Sequence, residues 1–234
     1  MAYISDKYEF VFFSADATGS TAIIKSLADN DIGRLVPPEN IVKNGVRIAP
    51  AKHTTVQQLR NINMLEGKEH YKKVAGIRNP FSWHVAKYLR NTTSRYKAIG
   101  NPNSWINKLP KAERERYVGE IKRQASETFK EYLQRHFKGK DPYELQAGFH
   151  EDVDIFIHQE TLDIDFEAFK ISVGLPSNIK VPKFNLTNAM PSQKTYADYF
   201  DDELVELIYH YHQPFFQKFP EYLGSEVKPG IKPV

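Results

Sequence analysis

Three stretches carry residue types and spacings that suit binding an anionic group and moving it. The first is FFSADATGST, residues 12–21, where an apolar run stops and a small polar loop ends in Gly19-Ser20-Thr21. Exposed N–H groups at a helix start, with Gly19 allowing close approach, make an anion site. A tight strand-to-helix turn with capping hydroxyls uses the same residues, so the segment alone leaves both readings open. The second stretch is VAGIRNPFSWHVAKY, residues 74–88, in which Arg78 stands where an apolar run ends. A guanidinium there is costly without a partner. It suits a phosphate, which it grips with two bonds. Capping a helix terminus or pairing a carboxylate is the ordinary alternative. The third is APAKHTTVQQLRN, residues 49–61, with His53 just before a helix start. Its ring titrates near neutrality, which makes it a candidate proton acceptor beside the reading of an ordinary surface histidine.

The elements around these residues follow from pattern. Residues 8–14 predict a buried, aromatic-rich strand, and residues 20–29 the helix after it. VRIAP predicts a strand, and residues 54–62 a short helix capped by Thr54. Residues 71–78 predict a second core strand. A helix starts at Asn79-Pro80 and runs to about residue 96, since proline suits a first helical turn. Residues 99–109 predict a loop, and residues 110–136 one long, charged, exposed helix. Residues 153–158 predict a third core strand, 164–173 a helix, 175–194 irregular chain and 201–218 a terminal helix. Strands separated by helices predict an α/β fold: a three-layer sandwich with a central parallel sheet and helices on both faces. In such a sheet ligands sit at the carboxyl ends of the strands, where Ser14–Thr21 and Arg78–Pro80 both fall.

Composition narrows the class. With 234 residues and 41% hydrophobic content, the chain suits one domain (1–234) with a helical excursion at about 100–150. Fifteen Phe and 13 Tyr argue against disorder. A net charge of +3 suits a small anionic ligand and is too weak to imply nucleic acid; no basic–aromatic interleaving suggests a single-strand binder. With no cysteine, disulfides, thiolate metal sites and a cysteine nucleophile are excluded. No leader pattern and no membrane-length apolar run is read, so the expectation is a soluble cytoplasmic protein without a membrane partner. His210 and His212, two apart on a helix, face different sides, so no metal site is expected. Trp105 is a candidate for an acceptor pocket, with ordinary packing the favoured account. Glu160, after the third strand, is a candidate for orienting His53 or binding substrate, with helix capping as its plain alternative.

Taken in order, the segments resemble the sulfotransferases that use 3'-phosphoadenosine 5'-phosphosulfate (PAPS), in their bacterial and carbohydrate-directed branches. That family pairs a P-K-T-G-[GS]-T-S loop with a later R-[DN]-P-[YF]-x-R-x-x-S-x-Y segment. Here the first reads Asp16-Ala17-Thr18-Gly19-Ser20-Thr21-Ala22, and the second runs from Arg78-Asn79-Pro80-Phe81 to Ala86-Lys87-Tyr88. Lys52-His53-Thr54-Thr55 is similar to the family's K-H-x-[ST], with His53 25 residues before Arg78. VDIFIHQETLDIDFEAF and the terminal YADYF…PEYL segment are also similar to family elements. The resemblance implies a fold like that of the P-loop nucleoside triphosphate hydrolases. It implies PAPS as sulfuryl donor, a sugar or other small metabolite as hydroxyl acceptor, and no metal. It assigns Ala17, Thr18, Gly19, Ser20 and Thr21 to the 5'-phosphosulfate, Arg78 to the 3'-phosphate and His53 to general base.

Three of the chain's departures from the pattern bear on chemistry. Ala17 stands where the family has a lysine, Ala86 where it has a serine on the 3'-phosphate, and Trp83 where it has an arginine. Losing a preorganised cation costs on the order of 10²–10³-fold in rate. Lys87, Lys52 and Lys194 are candidates to compensate. Two other functions remain in view. One is a degenerate relative that binds nucleotide or glycan without transfer, for which Ala17 and Ala86 speak. The other is a P-loop nucleotide kinase-like enzyme, disfavoured because neither the Walker lysine nor a Walker B aspartate is evident.

Overall fold

The computed structural model describes residues 2–44, 46–182 and 194–224. In chain order the elements are β1 (Ala2–Ser5), β2 (Phe10–Phe13), α1 (Ser20–Asp29), β3 (Arg34–Val36), β4 (Ile41–Lys43), β5 (Val46–Ala49), α2 (Val56–Asn61) and β6 (Lys72–Ile77). Then come α3 (Pro80–Arg90), α4 (Tyr96–Ile99), α5 (Lys111–Ser126), α6 (Phe129–Phe137), β7 (Ile155–His158), α7 (Leu162–Val173), α8 (Asp202–Tyr211) and α9 (Gln213–Lys218). The chain divides into two compact units. One is Met1–Arg78 with Gln146–Asn185, the other Asn79–Leu145 with Leu186–Val234. Most of the helical excursion expected at 100–150 falls in the second.

The first unit is α/β, built on a five-stranded sheet in the order β3-β1-β2-β6-β7. The three strands expected from sequence, β2, β6 and β7, are parallel. The sheet as a whole is mixed, which corrects the expectation of a parallel one: β1 lies antiparallel to both β2 and β3. The reason is connection length. Only Asp6–Glu9 joins β1 to β2, and so short a link cannot carry a parallel crossover. The VRIAP strand forms as β5, but it pairs with β4 in a separate two-stranded ribbon. Alternation along the strands makes two cores. Tyr3, Phe10, Phe12, Val74 and Ile157 pack with Ile23 and Leu27 of α1 and Phe166 and Phe169 of α7. Ala2, Ile4, Val11, Phe13 and Ala75 face the other way, onto Val56 and Leu59 of α2. Helices therefore cover both faces of this sheet. Thr55 rather than Thr54 caps α2, in a capping box with Gln58; the Thr54 side chain is buried and donates to the Pro50 carbonyl.

The second unit is helical among its described residues. α3 begins at Asn79-Pro80 as expected, with the Asn79 side chain accepting from Phe81 N–H, and continues through a π-helical turn, Asn91–Arg95, into α4. The long helix expected over 110–136 is broken. A new start at Thr128, whose capping box uses Glu131, separates α5 from α6. The terminal helix is split at His212, just before Pro214 enters the first turn of α9. His84 and His212 are fully buried and share a hydrogen bond, Nε2 to Nε2 at 2.8 Å. His136 packs on the His84 ring and hydrogen-bonds the Tyr143 hydroxyl at 3.2 Å. Burial holds His212 down at about 3 and His136 at about 4, and pushes His84 well below the usual histidine range.

These shifts set a pH dependence. Below about pH 6.5 the unfolded chain binds protons that the folded histidines refuse, so stability falls as pH drops from there toward 4 and 3. The slope approaches about 1.4 kcal/mol per pH unit for each histidine. Both tryptophans, Trp83 and Trp105, lie in this unit, so their fluorescence reports its unfolding. We expect the urea midpoint by tryptophan emission to fall between pH 7 and pH 5, and to fall less in His84→Phe. A midpoint flat across that range contradicts the buried neutral cluster.

Candidate functional site

Because β2, β6 and β7 are parallel, their carboxyl ends open on one edge of the sheet. The loop Ser14–Gly19 leaves β2 there, Arg78 leaves β6, and the turn bearing Glu160 leaves β7. α1 begins at Ser20 behind Gly19, which has φ +77°, a left-handed conformation that glycine adopts without strain. Ala17 has φ +63°, uncommon for a residue with a side chain.

What fixes this loop is a series of side-chain donors to its carbonyls. His53 Nδ1 lies 2.8 Å from the Ser14 oxygen. Thr18 Oγ1 and Ser20 Oγ each lie 3.0 Å from the Ala15 oxygen and are in hydrogen-bond contact with each other. Gln146 Nε2 donates to the Asp16 oxygen. Arg78 Nη1 donates to the Ala17 oxygen at 3.0 Å. Four consecutive carbonyls, Ser14 to Ala17, are thus taken by side chains. In a planar trans peptide the N–H points opposite to the carbonyl, so each of these bonds also aims the next residue's N–H. The N–H groups of Ala17, Gly19, Ser20 and Thr21 take no acceptor among the described residues. A left-handed turn leading N–H groups into a helix start is an anion-binding arrangement.

Sequence expectations for this loop are sharpened in two respects. Of the residues that the resemblance assigns to the 5'-phosphosulfate, Thr18 and Ser20 are buried, and their hydroxyl oxygens tie the loop to itself. The backbone, with the exposed Thr21, is what the loop presents. His53 Nδ1 meets the Ser14 carbonyl, on a left-handed backbone with φ +57°. Donation from Nδ1 selects the tautomer whose basic nitrogen is Nε2. Glu160 is exposed in the turn after β7.

Lys87, Trp105 and Lys194 belong to the second unit. Lys87 Nζ sits 5.3 Å from the centre of the Trp83 ring, and Lys194 Nζ 5.7 Å from that of Tyr199. Trp105 is half exposed and packs on Tyr117. Ala86 is buried. Among the described residues no three His, Asp or Glu side chains gather as a metal site. No helix there is long and apolar enough to cross a membrane.

Two residues that position the loop escaped the sequence reading. Gln146 gave no signal: it lies 130 residues from the carbonyl it holds. Gly76 had one, since an isolated glycine in a strand marks a close approach. A Cβ on Gly76 would stand 2.5 Å from Thr18 Oγ1 and 2.9 Å from Thr18 Cβ. Gly76→Ala is therefore expected to lower stability by about 1–3 kcal/mol, read by urea unfolding followed by circular dichroism. An unchanged midpoint would mean that the loop does not rest on β6. Compared with protein-family models, with curated proteins and with solved structures, the chain finds no match.

Proposed function

We propose that the chain is a PAPS-dependent sulfotransferase, with a P-loop-like sandwich as its first unit and a hydroxyl on a sugar or other small metabolite as acceptor. The observation that carries this reading is the loop whose four carbonyls are occupied by side chains while the N–H groups of Ala17, Gly19, Ser20 and Thr21 have no acceptor among the described residues. A phosphosulfate fits such a loop because it is a multivalent anion needing many donors in a small space. Arg78, hydrogen-bonded to the same loop, supplies positive charge beside it and is assigned to the donor's 3'-phosphate. Bound there, PAPS provides an activated sulfuryl group.

The chain's residues then have distinct tasks. His53 Nε2 takes the proton of the acceptor hydroxyl as that oxygen bonds to sulfur, while the sulfur–oxygen bond to the phosphate breaks. The proton remains on the imidazolium, whose Nδ1–H is already held by Ser14. The loop N–H groups offset negative charge on the departing phosphate oxygen. Ala17 adds no cation, and this favours a second reading in which the site binds nucleotide without transfer.

Release of adenosine 3',5'-bisphosphate from PAPS, with a panel of sugars and phenols as acceptors, separates the two. Transfer predicts turnover that falls on the order of 10²–10⁴-fold in His53→Ala. It also predicts a gain on the order of 10²-fold in Ala17→Lys, which restores a loop cation on an unchanged backbone trace. Binding with no turnover in either wild type or Ala17→Lys would leave only the second reading.

A further inference from the structure

Gln146 meets the loop from far along the chain and does so in an unfavourable state. Its backbone is left-handed, with φ +62°. Its amide oxygen Oε1 is buried with no hydrogen-bond partner among the described residues. Both features cost free energy, and such features persist where the surrounding structure imposes them. What the residue does there is unambiguous in direction. Its Nε2–H group donates to the Asp16 carbonyl; the opposite amide orientation would set two oxygens against each other.

The Asp16 carbonyl belongs to the same peptide plane as the Ala17 N–H, so the two point in opposite directions. Ala17 is the position where a lysine would otherwise sit, and its N–H takes no acceptor among the described residues. The neighbouring carbonyls are held by other groups: Ser14 by His53, and Ala17 by Arg78. Only the Asp16–Ala17 peptide has a neutral amide as its anchor.

We propose that Gln146 is a positioning residue for the loop, holding the Asp16 carbonyl so that the Ala17 N–H is aimed at the bound anion. The inference rests on the anion-binding reading of the loop. Gln146 itself touches no ligand; it acts through the Asp16–Ala17 peptide. A neutral donor suits the task, since it sets the peptide without drawing the anion away from the N–H groups.

Titration of adenosine 3',5'-bisphosphate into wild type, Gln146→Ala and Gln146→Glu, at pH 7.5 and pH 5, tests this alongside thermal midpoints. Gln146→Ala should bind about tenfold more weakly, the equivalent of one hydrogen bond. In Gln146→Glu the ionised carboxylate opposes the Asp16 oxygen, whereas the protonated carboxyl donates to it. Its deficit relative to wild type should therefore shrink from pH 7.5 to pH 5, which a merely structural role would not produce. Wild-type affinity in both variants, or a deficit equal at the two pH values, overturns the inference. If wild type itself fails to bind, the nucleotide reading falls. The ligand-free amide resonance of Ala17 then decides: a shift in Gln146→Ala supports positioning, and an unmoved resonance overturns it.

Discussion

The site depends on where the carbonyls of residues 14–17 go. A backbone that leaves a strand and enters a helix within six residues has little secondary structure to satisfy its polar groups. Here the carbonyls are satisfied by His53, Thr18 with Ser20, Gln146 and Arg78. Peptide planarity means that these contacts also orient the N–H groups of residues 15 to 18, of which that of Ala17 takes no acceptor among the described residues and leads into those of Gly19, Ser20 and Thr21. Hydrogen bonds to the carbonyls also polarise the peptides, making the N–H groups better donors. A loop without a lysine can attract an anion in this way, through fixed dipoles backed by one guanidinium.

The rest of the first unit serves that arrangement. Parallel pairing of β2, β6 and β7 brings the loop, Arg78 and the Glu160 turn to one edge. The bare backbone of Gly76 lets Thr18 settle against β6. On the far side of Gly19, Leu162 and Gln159 close the space that a side chain there would need, with Leu162 Cδ2 at 3.3 Å from an added Cβ. Three residues with side chains sit on left-handed backbone in or around the loop: Ala17 within it, and His53 and Gln146 gripping it. Left-handed backbone at residues with side chains costs free energy, and it persists where the surrounding contacts impose it.

Much of this was legible, and the failures have physical reasons. Helix α1 runs over residues 20–29 as read, because its apolar spacing and its glycine entry agree. β2, β6 and β7 were readable as apolar runs ended by polar loops. β1 was not read: Ala2–Ser5 is short, and its burial comes from two neighbouring strands that no local pattern reveals. The break between α5 and α6 was written in Thr128-x-x-Glu131, but the charge pattern, continuous across it, masked the capping box. His53 and Arg78 stood out in the sequence because their chemistry is unusual at those places, and both meet carbonyls of the loop. The inward turn of the Thr18 and Ser20 hydroxyls, and the grip of Gln146, are long-range consequences of packing, with no local trace.

The most direct test of the central claim, that this loop and Arg78 bind a doubly phosphorylated adenosine nucleotide, is calorimetric titration with adenosine 3',5'-bisphosphate beside AMP. The account predicts binding of the bisphosphate that is tighter than that of AMP and is lost in Arg78→Ala. No binding, or equal binding of AMP, would contradict it.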